Sequence, residues 1–189
     1  MEDKKIYVPI ILGTARKERE SEKVARFVME EAKEFGFDAE LIDVRDYRWG
    51  ETIPTWAEDT TATKRWRDIA ERADGFIIVV PEYNHGYPGE LKILLDGAYK
   101  EYAKKPVGLC GVSSGLVGGA RVVDHLKQVL VELSMVPLRN ALYFPSVGDI
   151  FDDGVLKDEA YKERTKPMFE ELAWYGKVLK NAKQADAKS

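Results

Sequence analysis

Short runs of wholly apolar residues alternate along this chain with longer amphipathic segments, and this alternation limits the folds open to it. Residues 75–80 have the sequence Gly-Phe-Ile-Ile-Val-Val and lead into Pro81, and residues 6–12 form a similar run that ends at Gly13. A strand without polar positions is buried on both faces, as in a parallel sheet covered by helices on either side. The pattern therefore predicts an α/β protein.

Five strand–helix units follow one another in the sequence. The predicted strands are residues 6–12, 39–44, 75–80, 106–112 and 135–143, and the predicted helices are residues 21–35, 60–73, 91–102, 116–133 and 158–180. Right-handed crossovers between parallel strands then give a flavodoxin-like, doubly wound parallel sheet of five strands with helices on both faces. We expect residues 1–181 to form this single domain and residues 182–189 to be a disordered tail.

Charge and cysteine content exclude several functional classes. The formal net charge of −4 over 189 residues provides no broad positive field for nucleic acid or an anionic membrane. Every hydrophobic run is interrupted well before the roughly 20 residues that a membrane-spanning helix needs. The single cysteine, Cys110, has no partner for an internal disulfide and favours a reducing compartment. We expect a cytoplasmic protein that binds neither nucleic acid nor membrane.

In doubly wound sheets, ligands bind at the carboxyl ends of the strands, near the switch in strand order. The first candidate loop, residues 13–21, has the sequence Gly-Thr-Ala-Arg-Lys-Glu-Arg-Glu-Ser. The hydroxyls of Thr14 and Ser21, the guanidinium of Arg16 and the N–H groups of a helix start suit a phosphomonoester. The alternative is that Ser21 only caps the helix and the arginines are solvated.

The first loop also carries two acidic residues and lacks two familiar phosphate motifs. Glu18 and Glu20 would repel a phosphate unless they turn outward. The loop matches neither the Gly-x-x-x-x-Gly-Lys-Ser/Thr pattern nor the Gly-x-Gly-x-x-Gly pattern. A nucleoside triphosphate or a dinucleotide pyrophosphate is therefore not the expected ligand.

The second candidate loop, residues 81–89, has the sequence Pro-Glu-Tyr-Asn-His-Gly-Tyr-Pro-Gly. Tyr83 and Tyr87 offer flat apolar faces with polar ends, and Asn84 can donate and accept hydrogen bonds. A planar heterocycle bearing carbonyl and N–H groups suits this composition. The alternative is a rigid turn before a helix, with Pro88 near the first helical position.

The third candidate loop, residues 113–121, is rich in glycine. Gly115, Gly118 and Gly119 expose backbone amides that could hydrogen-bond the edge of a heterocycle or stabilise negative charge on it. These glycines could instead allow a helix to pack closely on the sheet. Taken alone, this loop does not distinguish the two roles.

Together the three loops resemble the NADPH-dependent FMN reductase family, which is flavodoxin-like. The motifs that carry the resemblance are residues 13–16 with Ser21, residues 81–84 with 88–92, and Gly115 with residues 118–121. The resemblance implies bound FMN. It assigns the FMN phosphate to Thr14, Arg16 and Ser21, and the isoalloxazine ring to Pro81, Glu82, Tyr83 and Asn84. The far edge of the ring is assigned to Ser113, Ser114, Gly115 and Gly118. Contacts with the substrates are assigned to His85 and Tyr87.

The same resemblance implies an NAD(P)H oxidoreductase. Electrons would pass from a nicotinamide nucleotide through FMN to a flavin, quinone, azo compound or metal oxyanion, in a homodimer or homotetramer. The cofactor does the chemistry in such enzymes, so no catalytic acid, base or nucleophile is expected. The alternatives are a flavodoxin-type electron carrier, which does not react with nicotinamide nucleotides, and a domain that has lost catalysis.

A few remaining residues have simpler interpretations. Cys110 lies within an apolar strand and is expected to be a buried structural thiol. The two histidines, His85 and His125, lie too far apart in the sequence to indicate a metal site, so none is predicted. Trp49 and Trp56 are expected at a subunit interface, with a satellite core under the loop as the alternative.

Overall fold

The computed structural model describes residues 5–47, 49–57, 61–152 and 154–186. Its strands are β1 (Tyr7–Leu12), β2 (Asp38–Asp43), β3 (Phe76–Pro81), β4 (Pro106–Val112), β5 (Val136–Pro137), β6 (Leu142–Phe144), β7 (Phe151–Asp152) and β8 (Val155–Leu156). Its helices are α1 (Ser21–Phe35), α2 (Thr61–Arg72), α3 (Gly89–Asp96), α4 (Ala120–Glu132) and α5 (Ala160–Asp186).

The central sheet is parallel and has the order β2-β1-β3-β4-β5, with β6 also paired to β4. The order reverses direction between β1 and β3, so the carboxyl ends of these two strands border the switch point. Strands β7 and β8 form a separate antiparallel pair. The predicted doubly wound, flavodoxin-like α/β fold is confirmed.

Two apolar layers cover the two faces of this sheet. Ile77 and Val79 of β3 pack in the layer that contains α1 and α5, whereas Ile78 and Val80 pack in the layer that contains α2, α3 and α4. Every residue of β3 is buried. This two-sided burial is the physical reason why the strand sequence lacks polar positions.

The fifth strand position is occupied by two short strands and not by the continuous strand predicted for residues 135–143. β5 pairs with the beginning of β4, and β6 pairs with its end. Between them, the backbone N–H of Asn140 donates to Glu171 of α5 at 3.3 Å, and its side-chain amide donates to the same oxygen at 3.0 Å. The Glu171 carboxylate therefore provides a hydrogen-bond acceptor for the backbone N–H of Asn140, between the two segments that pair with β4.

Proline and glycine positions explain other differences at the ends of elements. β1 pairs with β3 only from Ile10 onward, so Pro9 lies just before that ladder. Helix α3 ends at Asp96, and the following Gly97 lies against Trp49, where a Cβ atom would approach the indole Cζ2 to 2.6 Å. Helix α4 begins at Ala120, after two glycines with positive φ.

Helix α5 continues through Asp186, beyond the predicted end at residue 180. Residues 182–186 are therefore helical where a disordered tail was expected, since alanine, lysine and glutamine favour helix continuation. Residues 187–189 of the predicted tail lie outside the described residues. Among the helices of the described ranges, none is both long enough and apolar enough to cross a membrane.

Candidate functional site

Three loops meet at the carboxyl edge of the sheet because the strands before them are neighbours. We call residues 13–20 after β1 the first loop, residues 82–88 after β3 the second loop, and residues 113–119 after β4 the third loop. The N–H of Gly13 donates to the carbonyl of Val79 at 2.9 Å, and the N–H of Glu82 donates to the carbonyl of Val112 at 2.8 Å. The first bond joins the first loop to β3, and the second bond joins the second loop to β4.

Ser21 is the first residue of α1, and its hydroxyl has no hydrogen-bond partner among the described residues although the residue is only 3% exposed. The residue at the cap position is Glu20, which has helical backbone angles and makes no side-chain cap bond. Ser21 therefore does not act as a simple helix cap. A buried unpaired hydroxyl is costly, and an acceptor bound at this helix N-terminus would satisfy it.

Thr14 connects the first loop to the second. Its buried hydroxyl lies 3.3 Å from the phenol oxygen of Tyr83 and accepts the backbone N–H of Arg16 at 3.2 Å. The guanidinium carbon of Arg16 lies 5.3 Å from the centroid of the Tyr83 ring. Arg16 is otherwise exposed, so it is available to a phosphate at this edge.

The two acidic residues of the first loop leave it open to an anion. Glu20 forms an ion pair with Lys23 at 2.7 Å, one turn into α1. Glu18 is exposed and has a φ of 52°, which places it in the left-handed region. A local lysine therefore offsets the charge of Glu20, and the Glu18 side chain lies in solvent.

The second loop turns tightly at its tip. Tyr83 and Gly86 exchange backbone hydrogen bonds of 3.0 and 2.9 Å, and the two residues between them, Asn84 and His85, have φ values of 50° and 64°. Positive φ at both central residues defines a type I′ turn, and asparagine and histidine tolerate this region better than most side chains. The turn exposes Asn84 and His85 to solvent.

Glu82, predicted to line a heterocycle, directs its carboxylate elsewhere. One oxygen accepts the backbone N–H of Val122 in the first turn of α4, and the other pairs with Arg121, each at 3.3 Å. A carboxylate at a helix N-terminus is stabilised by the helix dipole. The structure therefore leaves the backbone of Glu82, and not its side chain, for contact with a ligand. Pro81 is buried as the last residue of β3.

The third loop contains glycines of two kinds. A Cβ atom on Gly118 would lie 2.9 Å from the Cβ of Tyr143, and one on Gly119 would lie 2.6 Å from the backbone N of Val112. These two glycines allow close packing, which was the alternative to amide donation. A Cβ atom on Gly115 would meet nothing within 4 Å, so the third loop is open at that residue.

The remaining predicted residues of the second and third loops have the following environments. The Ser113 hydroxyl donates to the carbonyl of Gly115 at 2.9 Å, and Ser114 is exposed. Tyr87 is half-buried against the apolar layer that contains α3. Thr14, Tyr83 and Gly115 thus lie in the three loops, Ser21 lies at the start of the helix that follows the first loop, and Gly118 is buried within the third loop.

These features fit a phosphate attached to a planar ring. The unpaired Ser21 hydroxyl, the helix start and Arg16 provide donors for a phosphomonoester. The partly buried ring of Tyr83 and the open backbone at Gly115 lie at the ends of the next two strands. The arrangement matches FMN in both chemistry and order along the sheet.

The family model described as NADPH-dependent FMN reductase matches residues 6–149. The chain belongs to this family. The resemblance expected from the sequence is thereby confirmed, and the matched region of this FMN reductase family member includes all three loops.

Known proteins similar to this family member carry related names. An NAD(P)H-dependent FMN reductase of Schizosaccharomyces pombe is 34% identical over 146 residues, which cover 72% of this chain and 72% of the relative. A quinone reductase of Pseudomonas putida is 31% identical over 165 residues, which cover 80% of this chain and 85% of the relative. The solved flavoenzyme NAD(P)H:(acceptor) oxidoreductase FerB from Paracoccus denitrificans aligns with a TM-score of 0.72, at 21% identity, over 93% of this chain and 98% of that one.

The residues with simpler interpretations also have defined positions. Cys110 is fully buried, and burial raises the pKa of its thiol, which makes it unreactive as a nucleophile. Trp49 packs against Gly97 at the apolar layer that contains α2, α3 and α4, whereas Trp56 is 86% exposed. The alternative core position therefore describes Trp49. His125 is exposed on α4.

Four residues at this edge were not among the predicted site residues. They are Glu90, Arg19, Asp43 and Arg45. Glu90 of α3 accepts the N–H of Ala15 at 3.0 Å. Asp43 ends β2 at the carboxyl edge of the sheet, and this position could have indicated it. Arg19 and Arg45 carried no such signal, because the backbone carbonyls and the Asp43 carboxylate that they bind come together only in the folded protein.

Proposed function

We propose that this chain is an FMN-dependent NAD(P)H oxidoreductase that passes electrons from a nicotinamide nucleotide through bound FMN to a small acceptor. The observation that carries the proposal is the buried, unpartnered hydroxyl of Ser21 at the start of α1. Family membership supports the cofactor and the nicotinamide nucleotide as co-substrate. When bound, FMN supplies hydride acceptance and onward electron transfer.

The first loop would bind the FMN phosphate. Ser21 donates its hydroxyl, Arg16 adds a positive charge, and Thr14 fixes the loop through its contacts with Arg16 and Tyr83. The second and third loops would hold the ring, with Tyr83 on one side and the backbone of Ser114 and Gly115 at the far edge. Pro81, Glu82 and Asn84 would contribute backbone or side-chain contacts beside Tyr83.

The substrates would enter from the solvent side of the second loop. Asn84 and His85 are exposed at the tip of its turn, and Tyr87 is half-buried in the same loop. NAD(P)H and the acceptor would contact His85 and Tyr87 in succession at one face of the ring. The protein's contribution is orientation, since a well-placed donor and acceptor need no separate acid or base.

Quinones and free flavins are the acceptor classes that we propose. Relatives that match most of this chain are named quinone reductase and NAD(P)H-dependent FMN reductase. Azo compounds and metal oxyanions remain further candidates for the same open face.

Purification followed by spectroscopy and kinetics tests this function. We expect a yellow protein, or an apoprotein that binds added FMN, and FMN-dependent oxidation of NADH or NADPH with quinone and free-flavin acceptors. A protein that ignores added FMN would rule the proposal out. Rapid mixing with NADPH separates the enzyme from a flavodoxin-type carrier, because a carrier would keep its flavin oxidised.

We further propose that a second copy of the chain covers the rim of the site. Leu116 and Val117 of the third loop are 88% and 48% exposed. The next residue, Gly118, lies against Tyr143, which is 40% exposed. Exposed apolar side chains grouped in this way favour a protein interface. A homodimer or homotetramer would bury them. The cytoplasmic location expected from the sequence remains a prediction.

A further inference from the structure

Three consecutive carbonyl groups of the first loop are bound by two arginines. The carbonyl of Thr14 accepts from Arg19, and the carbonyl of Ala15 accepts the Nε–H of Arg45 at 3.3 Å. The carbonyl of Arg16 accepts from the terminal nitrogen of the same Arg45 side chain. All three carbonyls of this segment therefore have a cationic donor from the protein itself.

Asp43 at the end of β2 holds both arginines in place. Arg19 forms a two-point contact with its carboxylate, and the backbone N–H of Arg45 donates to the same carboxylate at 2.9 Å. Burial raises the pKa of Asp43, but the hydrogen bonds from Arg19 and Arg45 outweigh burial and leave its pKa below the usual value. The carboxylate therefore stays ionised and fixes the two donors.

The two arginines differ in burial. The Arg19 side chain is 2% exposed and also binds Glu22, so it belongs to the packed interior of the loop. Arg45 is half-buried, and the described contacts of its guanidinium are the carbonyls of Ala15 and Arg16. Arg45 can therefore be replaced with less damage to the fold.

A carbonyl oxygen that faced the loop opening would repel a phosphate dianion. Guanidinium groups that bind successive carbonyls fix the peptide planes and offset the partial negative charge of the oxygens. A loop fixed before its ligand arrives loses less entropy on binding. Lysine cannot reproduce this arrangement, because an ammonium group does not present the fixed fork that spans neighbouring acceptors.

We propose that Arg45 is a positioning residue for the phosphate of the cofactor, acting through the carbonyls of Ala15 and Arg16. With Arg19 and Asp43 it keeps the first loop in the conformation that presents Arg16 and Ser21 to an anion. Arg45 acts on the loop and does not contact the phosphate. This inference rests on the proposed function, since it presupposes that the chain binds FMN.

Flavin affinity with and without the phosphate tests the inference. The apoprotein, Arg45→Met and Arg45→Lys are titrated with FMN and with riboflavin, which lacks the phosphate, and flavin fluorescence is followed. We expect Arg45→Met to weaken FMN binding about tenfold and riboflavin binding less than about twofold. Arg45→Lys keeps the positive charge but lacks the forked guanidinium, so its FMN affinity should lie between those of the wild type and Arg45→Met.

Arg26→Lys is the matched control, because Arg26 is exposed on α1 and pairs with Glu22. It should bind both flavins like the wild type. Equal losses for FMN and riboflavin in the Arg45 variants would show a general structural role and overturn the inference, as would unchanged affinities for both. A wild-type protein that binds neither flavin would instead refute the proposed function. Circular dichroism establishes that each variant is folded.

Discussion

The hydroxyl of Thr14 lies 3.3 Å from the phenol oxygen of Tyr83, although 69 positions separate these residues in the sequence. The contact joins the first loop after β1 to the second loop after β3, across the point where strand order reverses. One loop carries the proposed phosphate donors and the other the proposed ring contact. Changes in either residue should therefore affect how the two parts of the cofactor are held together.

Replacing Ser21 by alanine should weaken FMN binding without destabilising the apoprotein. The Ser21 hydroxyl makes no hydrogen bond with any residue that the structure describes, so its removal costs none of those contacts. A hydrogen bond to a charged acceptor contributes about 1.5 to 3 kcal/mol, so FMN affinity should fall at least about tenfold. Fluorescence titration and thermal unfolding measure the two effects.

Thr165→Val is the matched control for Ser21→Ala. Thr165 is also a buried hydroxyl residue in a helix, but it donates to the carbonyl of Lys162 at 2.7 Å. Its loss should lower the free energy of unfolding by about 1 kcal/mol and leave FMN affinity unchanged. Ser21→Ala with full FMN affinity would contradict the assignment of Ser21.

Tyr83→Phe and Tyr83→Ala should differ in their effect on FMN binding. Phenylalanine keeps the ring beside Arg16 and loses only the contact with Thr14, so we expect FMN affinity within about threefold of the wild type. Alanine removes the ring as well, and the loss should reach about tenfold or more. If both variants bind FMN equally well, the ring is not a cofactor contact.

Gly119→Ala should destabilise the protein strongly, whereas Gly115→Ala should not. Gly119 has a φ of 81°, and a Cβ atom there would lie 2.6 Å from the backbone N of Val112. Backbone strain and the clash together should cost at least about 2 kcal/mol in the free energy of unfolding. Gly115 has open space, so its substitution should change that free energy by less than about 0.5 kcal/mol. Denaturant titration compares the two variants.

The pH dependence of stability should reveal the buried ammonium of Lys105. It donates to the carbonyls of Ala70 and Glu71 at 2.6 and 2.8 Å, at the end of α2. Burial, followed by the nearby Lys183, lowers the pKa of Lys105 from 10.5 to about 8. Between these two values the unfolded chain binds more protons, so stability rises with pH.

The measurement compares the wild type with Lys105→Met from pH 7 to pH 10. The difference in free energy of unfolding should shift in favour of the wild type by about 2 to 3 kcal/mol, and the shift should begin near pH 8. Lys100→Met, at an exposed lysine, controls for the loss of one positive charge. A difference that stays constant across this range would contradict the lowered pKa.

Leu116→Glu should weaken self-association if a second copy covers the third loop. The Leu116 side chain is 88% exposed in the isolated chain, so a charge is tolerated there in the monomer. Burying that charge in an interface would be costly. Light scattering coupled to gel filtration should show a smaller species than the wild type. Val131→Glu, at a residue 63% exposed on α4, is the control that should leave the assembly unchanged.

Local patterns in the sequence were sufficient to predict the strands and the family. Residues 75–80 have no polar position because both faces of β3 are covered, and this property is visible without a structure. The three loops were predicted because they follow such strands and carry phosphate-binding or aromatic residues. Ends of elements were predicted less well where packing determines them, as at the split fifth strand.

The role of each side chain in the site required the tertiary structure. Glu82 lies among ring-binding candidates in the sequence, yet its carboxylate binds the start of α4, which is some 40 residues away along the chain. Gly118 belongs to a glycine-rich loop, yet it is buried against Tyr143. Both contacts join segments that are distant in the sequence, and residue type alone does not indicate which partner a carboxylate or a glycine will meet.

The sequence by itself determined that this chain forms a doubly wound sheet, because buried strands and helix starts depend on local residue patterns, whereas the phosphate site at its first loop remains a prediction. Only the tertiary structure showed that the Ser21 hydroxyl is buried without a partner and that Arg45 binds the carbonyls of the first loop. Whether the Ser21 hydroxyl has a partner, and which donor binds each carbonyl of the first loop, depends on residues that are distant in the sequence but close in the folded protein. That environment exists only after β1, β2 and β3 have come together.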